Sequence, residues 1–311
     1  MCIRDRVGSL EDRACCPSKI PPGCGFCSVP SLFGPSRSRT IEQIVKEIKE
    51  LLEHGVKRIV LSAPDFLDFQ RDDLVAPKPL INPSEPPANE EKIEELLAKI
   101  TALDGIAQEK AWVEVENVKA SLFSETIAKL LGSYLPNSSF SIGCETGSAE
   151  HAKMLGRPSN PRDTLHAVKL AKNYGLKPHV YFIHSLPGQN RQYAKETVEL
   201  IYQLEPFIEK VTIYRFKPLP LSAFGDFSLP PAAIKNPESK MIADAANAVN
   251  FRKKKNLAGE IVRVIISEPN IRDATSAIGI ILEGGPLVAV KNARGLLGQI
   301  VKVKIERALT E

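Results

Sequence analysis

From Thr40 to Phe216 the chain alternates segments of helical and strand period, and that order restricts the fold more than any other feature. Thr40-Ile41-Glu42-Gln43 reads as a capping box, and Ile41, Ile44, Val45, Ile48, Leu51 and Leu52 then recur at helical spacing until Gly55. Residues 57–62 follow as a strand, 90–100 as a helix with Ile93, Leu96, Leu97 and Ile100 on one face, and 112–118 as a strand. A helix at 125–131, a strand at 139–145, a helix at 162–174 closed by Gly175, a strand at 179–184, a helix at 194–208 and a strand at 211–216 complete the series. Pro77, Pro79, Pro83, Pro86 and Pro87 mark 71–89 as a loop or insertion. Strand-then-helix order over about 180 residues predicts an α/β fold, a parallel sheet with helical crossovers, as a barrel or an open doubly wound sheet. In either form ligands gather at the carboxyl ends of the strands, so residues placed just after strands should converge.

Near 218 the pattern changes. Pro218, Pro220, Pro230 and Pro231 mark a linker, and Asn236-Pro237-Glu238 starts a helix with a cap and a proline at the first position. That helix runs into Arg252-Lys253-Lys254-Lys255. After Gly259 come short strand segments at 260–266, 275–282, 287–290 and 300–305, separated by Gly284-Gly285 and Gly295, which predict a small all-β barrel. The expected organisation is a leader at 1–13, a core at 14–225, a helical linker at 226–256 and a β module at 257–311. Charge follows that division: residues 251–311 hold eleven Lys and Arg against six Asp and Glu, and the remaining 250 hold thirty against thirty-one. The run 252–255, with Lys291 and Arg294, is the candidate nucleic-acid surface; its plainer reading is a solvated helix end that complements the dipole.

No apolar run reaches the roughly 18 to 20 residues that span a bilayer, and no secretory signal opens the chain, so a membrane role is excluded and a cytoplasmic setting expected. Met1-Cys2-Ile3-Arg4-Asp5-Arg6 has no periodicity; it reads as foreign sequence in place of missing native residues, or as a frayed natural terminus. Of six cysteines, Cys15, Cys16, Cys24 and Cys27 crowd together, which points to metal or redox chemistry rather than a disulfide scaffold. Cys24 and Cys27, three apart, can grip one iron–sulfur cluster from a loop, with Cys16 or Cys15 as a third ligand. Three thiolates on a four-iron cluster leave one iron open, as a catalytic centre requires. The rival is a structural zinc knuckle, but zinc usually takes four ligands and no second Cys-x2-Cys or His-x3-His pair is present.

These residues resemble the radical S-adenosylmethionine (radical SAM) superfamily. Cys24-Gly25-Phe26-Cys27 resembles its Cys-x-aromatic-Cys ending, and Phe33-Gly34-Pro35-Ser36-Arg37-Ser38-Arg39 the stretch before the first helix of its methylthiotransferase-like branch. Gly143-Cys144-Glu145-Thr146-Gly147-Ser148 is similar to the Gly-x-Glu-Thr-Gly-Ser after the fourth strand, and His184-Ser185-Leu186-Pro187-Gly188-Gln189 to the Gly-Leu-Pro-Gly turn after the fifth. The C-terminal module resembles a TRAM domain, an OB-like RNA-binding barrel. The chain departs from the usual Cys-x3-Cys-x2-Cys spacing, since Ile20 stands four before Cys24; Cys16, followed by Pro17, is then the preferred first ligand.

The resemblance implies a partial (β/α)6 TIM-like barrel, a [4Fe–4S] cluster on Cys16, Cys24 and Cys27, and S-adenosylmethionine as co-substrate. It implies reductive cleavage of the sulfonium to a 5′-deoxyadenosyl radical, with RNA, most often tRNA, as the molecule modified and a ferredoxin or flavodoxin as electron donor. A protein or small-molecule substrate, with the module as an interaction domain, is the alternative. By the same resemblance Phe26 shields the cluster, Asp65 accepts from the methionine amino group and Arg157 pairs with its carboxylate. Glu145 bonds the ribose hydroxyls within the turn that also carries Thr146 and Ser148; Gly143 and Gly147 let backbone approach the cofactor; Leu186, Pro187 and Gly188 form a wall for adenine. Cys144 is expected to be a small core residue, and His151 to be structural.

Overall fold

The computed structural model describes residues 23–309, and its organising element is a run of six parallel strands. A short helix α1 (Val29–Phe33) leads into α2 (Ile41–Glu53), β1 (Arg58–Leu61), α3 (Glu90–Thr101), α4 (Asp104–Ala107), β2 (Trp112–Val115), β3 (Asn117–Val118) and α5 (Glu125–Tyr134). Then come β4 (Ser139–Glu145), α6 (Ala149–Met154), α7 (Pro161–Asn173), β5 (Lys177–His184), α8 (Arg191–Leu204), β6 (Lys210–Arg215) and α9 (Pro237–Asn256). The last four strands are β7 (Ile261–Pro269), β8 (Ala277–Ile281), β9 (Leu287–Val290) and β10 (Ile300–Lys304).

Among the described residues, β1 pairs with β2, and β3, β4, β5 and β6 pair in that order, every pair parallel. The single strand expected at 112–118 is divided at Glu116, which joins the two sheets. Its N–H donates to the Leu61 carbonyl at 3.2 Å while its own carbonyl accepts from Ser141 N–H at 2.7 Å. The result is the expected partial α/β barrel. Alternation along each strand sorts its two faces. Ile59, Val113, Val115, Ile142, Val180 and Val211 face the helices in one apolar core, whereas Arg58, Glu114, Ser141, His179 and Tyr181 line a cavity of about 410 Å³.

The helices begin where the sequence says they should. Thr40 and Gln43 form both halves of the capping box on α2, and Asn236 accepts from Ser239 N–H at the start of α9. The linker expectation for 226–256 needs correction, because α9 buries Ile242, Ala245, Ala246 and Val249 in the barrel's own core. It also closes the exposed edge of β6: the Asn250 side-chain amide accepts from Val211 N–H at 2.9 Å and donates to the Val211 carbonyl at 2.7 Å.

The C-terminal segment forms a four-stranded antiparallel sheet in the order β10-β7-β8-β9, with a separate core around Val264, Ile266, Ala277 and Ile281. It packs against the amino ends of the barrel strands. Arg263 lies 5.0 Å above the Trp112 ring and pairs with Glu109 at 3.2 Å and Glu283 at 2.5 Å. Gly284, at φ +82°, sits so close to the start of β4 that a Cβ there would be 2.6 Å from that of Ser139. No helix among the described residues is long and apolar enough to cross a membrane.

Candidate cluster and cofactor site

The loop carrying Cys24 and Cys27 is pinned from two sides. Gly25 N–H donates to the Leu155 carbonyl at 2.8 Å, and the Gly25 carbonyl accepts from Phe224 N–H at 2.9 Å. A turn in which Cys27 N–H reaches the Cys24 carbonyl at 2.9 Å holds the two residues together. Both thiols are half-buried and outside any disulfide. Burial pushes the Cys27 thiol up from its ordinary value, and Cys24 adds to that, while the Val29 N–H and Arg157 oppose it. Cys16 and Cys15 lie outside the described residues.

Arg157 connects this loop to the end of β4. Its Nη1 donates to Cys24 Sγ at 3.1 Å and lies 3.8 Å from Glu145 Oε1, its Nη2 donates to the Gly143 carbonyl, and its guanidinium lies 5.9 Å from the centre of the Phe26 ring. Burial works against its charge, yet Cys24 and Glu145 hold it above its usual value. Glu145 stands at φ +68°, beside an irregularity in the β4–β5 register. Burial raises its carboxyl above the normal range, and Arg157 offsets part of this. A Cβ at Gly143 would meet Glu145 Oε1 at 2.4 Å, so that glycine makes room for the Glu145–Arg157 pair. Phe26 packs beside Leu155, Leu186, Phe216 and Phe224.

Several expected positions turn inward instead. A Cβ at Gly147 would collide with the Thr197 and Glu196 backbone at 2.4 and 2.6 Å, so this glycine lets the turn pack closely against α8. Thr146 bonds His151, and Ser148 caps α6 by accepting from His151 N–H. Cys144 is buried, and its thiol is pushed up to about 12, chiefly by burial. Pro187 presents its carbonyl to His151, and Gly188 adopts φ +78° where the chain turns.

Asp65 is not a free acceptor for a methionine amino group. Its Oδ1 accepts from Leu67 N–H at 3.1 Å and Lys119 N–H at 3.0 Å, and its Oδ2 lies 3.0 Å from the Lys119 ammonium. That ammonium, 54 residues away, left no local signal in the sequence. The expected nucleic-acid residues are also largely engaged within the chain. Arg252 forms a two-pronged bond with Glu205 at 2.6 and 2.7 Å, Lys255 lies 4.8 Å above Phe251, Lys291 pairs with Glu306 at 2.9 Å and Arg294 donates to the Ala274 carbonyl at 2.8 Å. Burial lowers the pKa of Lys253, and Lys254 also has an interaction within the chain.

Two thiols beside a buried guanidinium and carboxylate, at the carboxyl end of the barrel, form a donor set suited to an anionic iron–sulfur cluster with a zwitterionic ligand next to it. The profile of the Radical SAM superfamily matches residues 15–201, well over half of the chain. The chain belongs to the radical SAM superfamily. It is 47% identical over 94% of its length to uncharacterized protein MJ1620 of Methanocaldococcus jannaschii, covering 56% of that protein. A tRNA-2-methylthio-N(6)-dimethylallyladenosine synthase of Clostridium botulinum is 26% identical over 92% of the chain and 60% of the relative. The putative methylthiotransferase MJ0865 of M. jannaschii is 30% identical over 66% of the chain and 42% of the relative. Two of these three relatives are named for methylthiolation, which supports the methylthiotransferase-like branch for this chain. The chain spans a little over half the length of the curated relatives it matches best among these. Coproporphyrinogen III oxidase (HemN) of Escherichia coli aligns over 87% of this chain and 64% of its own, with a TM-score of 0.49 and 13% identity. The radical SAM cofactors, a [4Fe–4S] cluster and S-adenosylmethionine, come with this membership; among the described residues Cys24 and Cys27 are the candidates to hold the cluster.

Proposed function

We propose that this chain is the radical-generating part of an enzyme that modifies RNA, most directly tRNA, in a methylthiolation-like or related reaction in the cytoplasm. When bound, the cluster and S-adenosylmethionine supply a one-electron reductive cleavage that yields a 5′-deoxyadenosyl radical. Cys16, Cys24 and Cys27 ligate the cluster, and Phe26 shields it. Arg157 neutralises charge at Cys24 and faces a ligand carboxylate. Glu145 accepts from ribose hydroxyls, and Leu186, Pro187 and Gly188 wall the adenine, with water excluded by the packing around Phe26. The electron comes from a ferredoxin or flavodoxin.

The observation that carries the RNA reading is that similarity to a tRNA-modifying relative runs over 92% of the chain, and so includes at least part of the C-terminal β module. The positive charge excess lies in the TRAM-like module together with the basic end of α9 that leads into it. One observation favours the alternative, a protein or small-molecule substrate: most of the module's candidate cations already have partners within the chain. The test is anaerobic reconstitution with S-adenosylmethionine, reductant and unmodified tRNA, read by mass spectrometry. Altered nucleosides together with 5′-deoxyadenosine are expected; 5′-deoxyadenosine with unaltered tRNA removes the RNA reading. A Cys24→Ala protein free of iron is the control for the cluster.

A further inference from the structure

His151 lies on α6, one turn beyond the loop that closes β4, and is fully buried. Its Nε2 is 2.9 Å from the Pro187 carbonyl and its Nδ1 is 3.1 Å from Thr146 Oγ1. A carbonyl only accepts, so Nε2 carries the proton and Nδ1 is bare. Nδ1 therefore accepts a hydrogen bond from the Thr146 hydroxyl, and the Thr146 oxygen in turn accepts from Ser148 N–H at 3.3 Å. The ring stacks on Tyr193 of α8 at 5.0 Å with an 11° tilt. One neutral imidazole thus spans the turn after β4 (145–148) and the turn after β5 (185–188), and a third element packs against its face. Burial lowers its pKa, with the Pro187 carbonyl and Glu196 acting the other way, so the neutral form that both bonds need is favoured.

We propose that His151 is a positioning residue for S-adenosylmethionine: it locks the ribose-facing and adenine-facing turns at one separation through the bonds Thr146 O–H to Nδ1 and Nε2–H to Pro187 O. This rests on the cofactor roles proposed for Glu145 and for Leu186, Pro187 and Gly188. Among the described residues, no other side chain of α6 hydrogen-bonds to both turns. The strands that carry the two turns are paired as far as Glu145 and Phe182, and His151 extends that link beyond the strand ends to the turns themselves. Precision at a site of this kind comes from such supporting bonds.

The experiment is calorimetric titration of S-adenosylmethionine into the anaerobically reconstituted full chain without reductant, so that binding is read apart from turnover. His151→Phe keeps the volume and the stack on Tyr193 but loses both bonds; it is expected to bind about tenfold more weakly, with iron content unchanged. His151→Gln offers one N–H and one carbonyl, and is expected to recover affinity to within about threefold of the parent. Thr146→Val breaks the same chain of bonds at its other end; it should weaken binding as much as His151→Phe, and the double variant no further. Parent-like affinity in His151→Phe, or equal losses in the Phe and Gln variants, overturns the proposal. Should His151→Phe fail to fold, the Gln and Thr146→Val proteins make the same comparison: weak binding by His151→Gln, or parent-like binding by Thr146→Val, overturns it. A parent protein that takes up iron yet binds no S-adenosylmethionine defeats the cofactor roles themselves, a different failure.

Discussion

The two ends of the barrel are built on opposite principles. At the carboxyl end Glu145 and Ser185 both hold positive φ, at +68° and +59°, and a buried carboxylate faces a buried guanidinium that also touches a cysteine sulfur. At the amino end there is close fit instead: Gly284 of the module rests on Ser139 and His179, and Arg263 lies over Trp112. Strain and desolvated charge cost stability and persist where surrounding structure enforces them. The amino end fills space and closes the polar lumen. The cysteine loop and the Glu145–Arg157 pair lie at one end, and the module rests on the other.

Arg157→Met should break the carboxyl end most severely. It leaves Glu145 buried without its cation and the Gly143 carbonyl without a donor, and should cost about 3–5 kcal/mol. Chemical denaturation of the reconstituted protein measures this, and iron content should fall with it; a variant as stable as the parent would mean that Glu145 is already solvated or protonated.

At the amino end His179 provides a pH-dependent probe. Burial, with the Lys210 charge adding, pushes its pKa down from 6.5 to about 4. A histidine depressed in the folded state contributes stability that is complete above the unfolded value and drains away as pH falls toward the folded one. The loss between pH 6.5 and 4 should be roughly 3 kcal/mol. Denaturation midpoints across that range should fall in the parent, and fall less steeply in His179→Asn; parallel slopes would show that this end takes up protons freely.

Gly284→Val is the mildest change. It adds a Cβ at φ +82°, 2.6 Å from Ser139 Cβ and 3.3 Å from His179 Nε2. The expected cost is about 1–3 kcal/mol in thermal unfolding, with iron bound and 5′-deoxyadenosine formed per folded molecule unchanged. Lost iron in this variant would mean that the two ends are coupled.

Local patterns made much of the fold legible. The capping pair Thr40 and Gln43, the cap at Asn236 and the strand-then-helix order from 40 to 216 are all written in neighbouring residues, and each appears in the structure. What stayed hidden depends on residues far apart in the chain. Asp65 looked like a free acid because Lys119 is a stranger to it in sequence. Nothing local to Gly147 announced the backbone of Thr197 against which it packs. His151 gave no sign of bridging two turns, since Pro187 lies 36 residues on. The break at Glu116 was invisible for the same reason: 112–118 has one continuous strand pattern, and only the change of partner from β1 to β4 divides it. The motif residues Cys24, Glu145 and Arg157 were legible singly, and the structure supplies their contact.

The seating of the module on the barrel floor sets a minimum footprint. β4 runs seven residues from Ser139, beneath Gly284, to Glu145, a rise of about 20 Å. Any molecule gripped by the module while it reacts beside Glu145 must reach along the full height of the wall between them. A free nucleoside or amino acid is too short to touch both ends at once, whereas a polymer of that length is not.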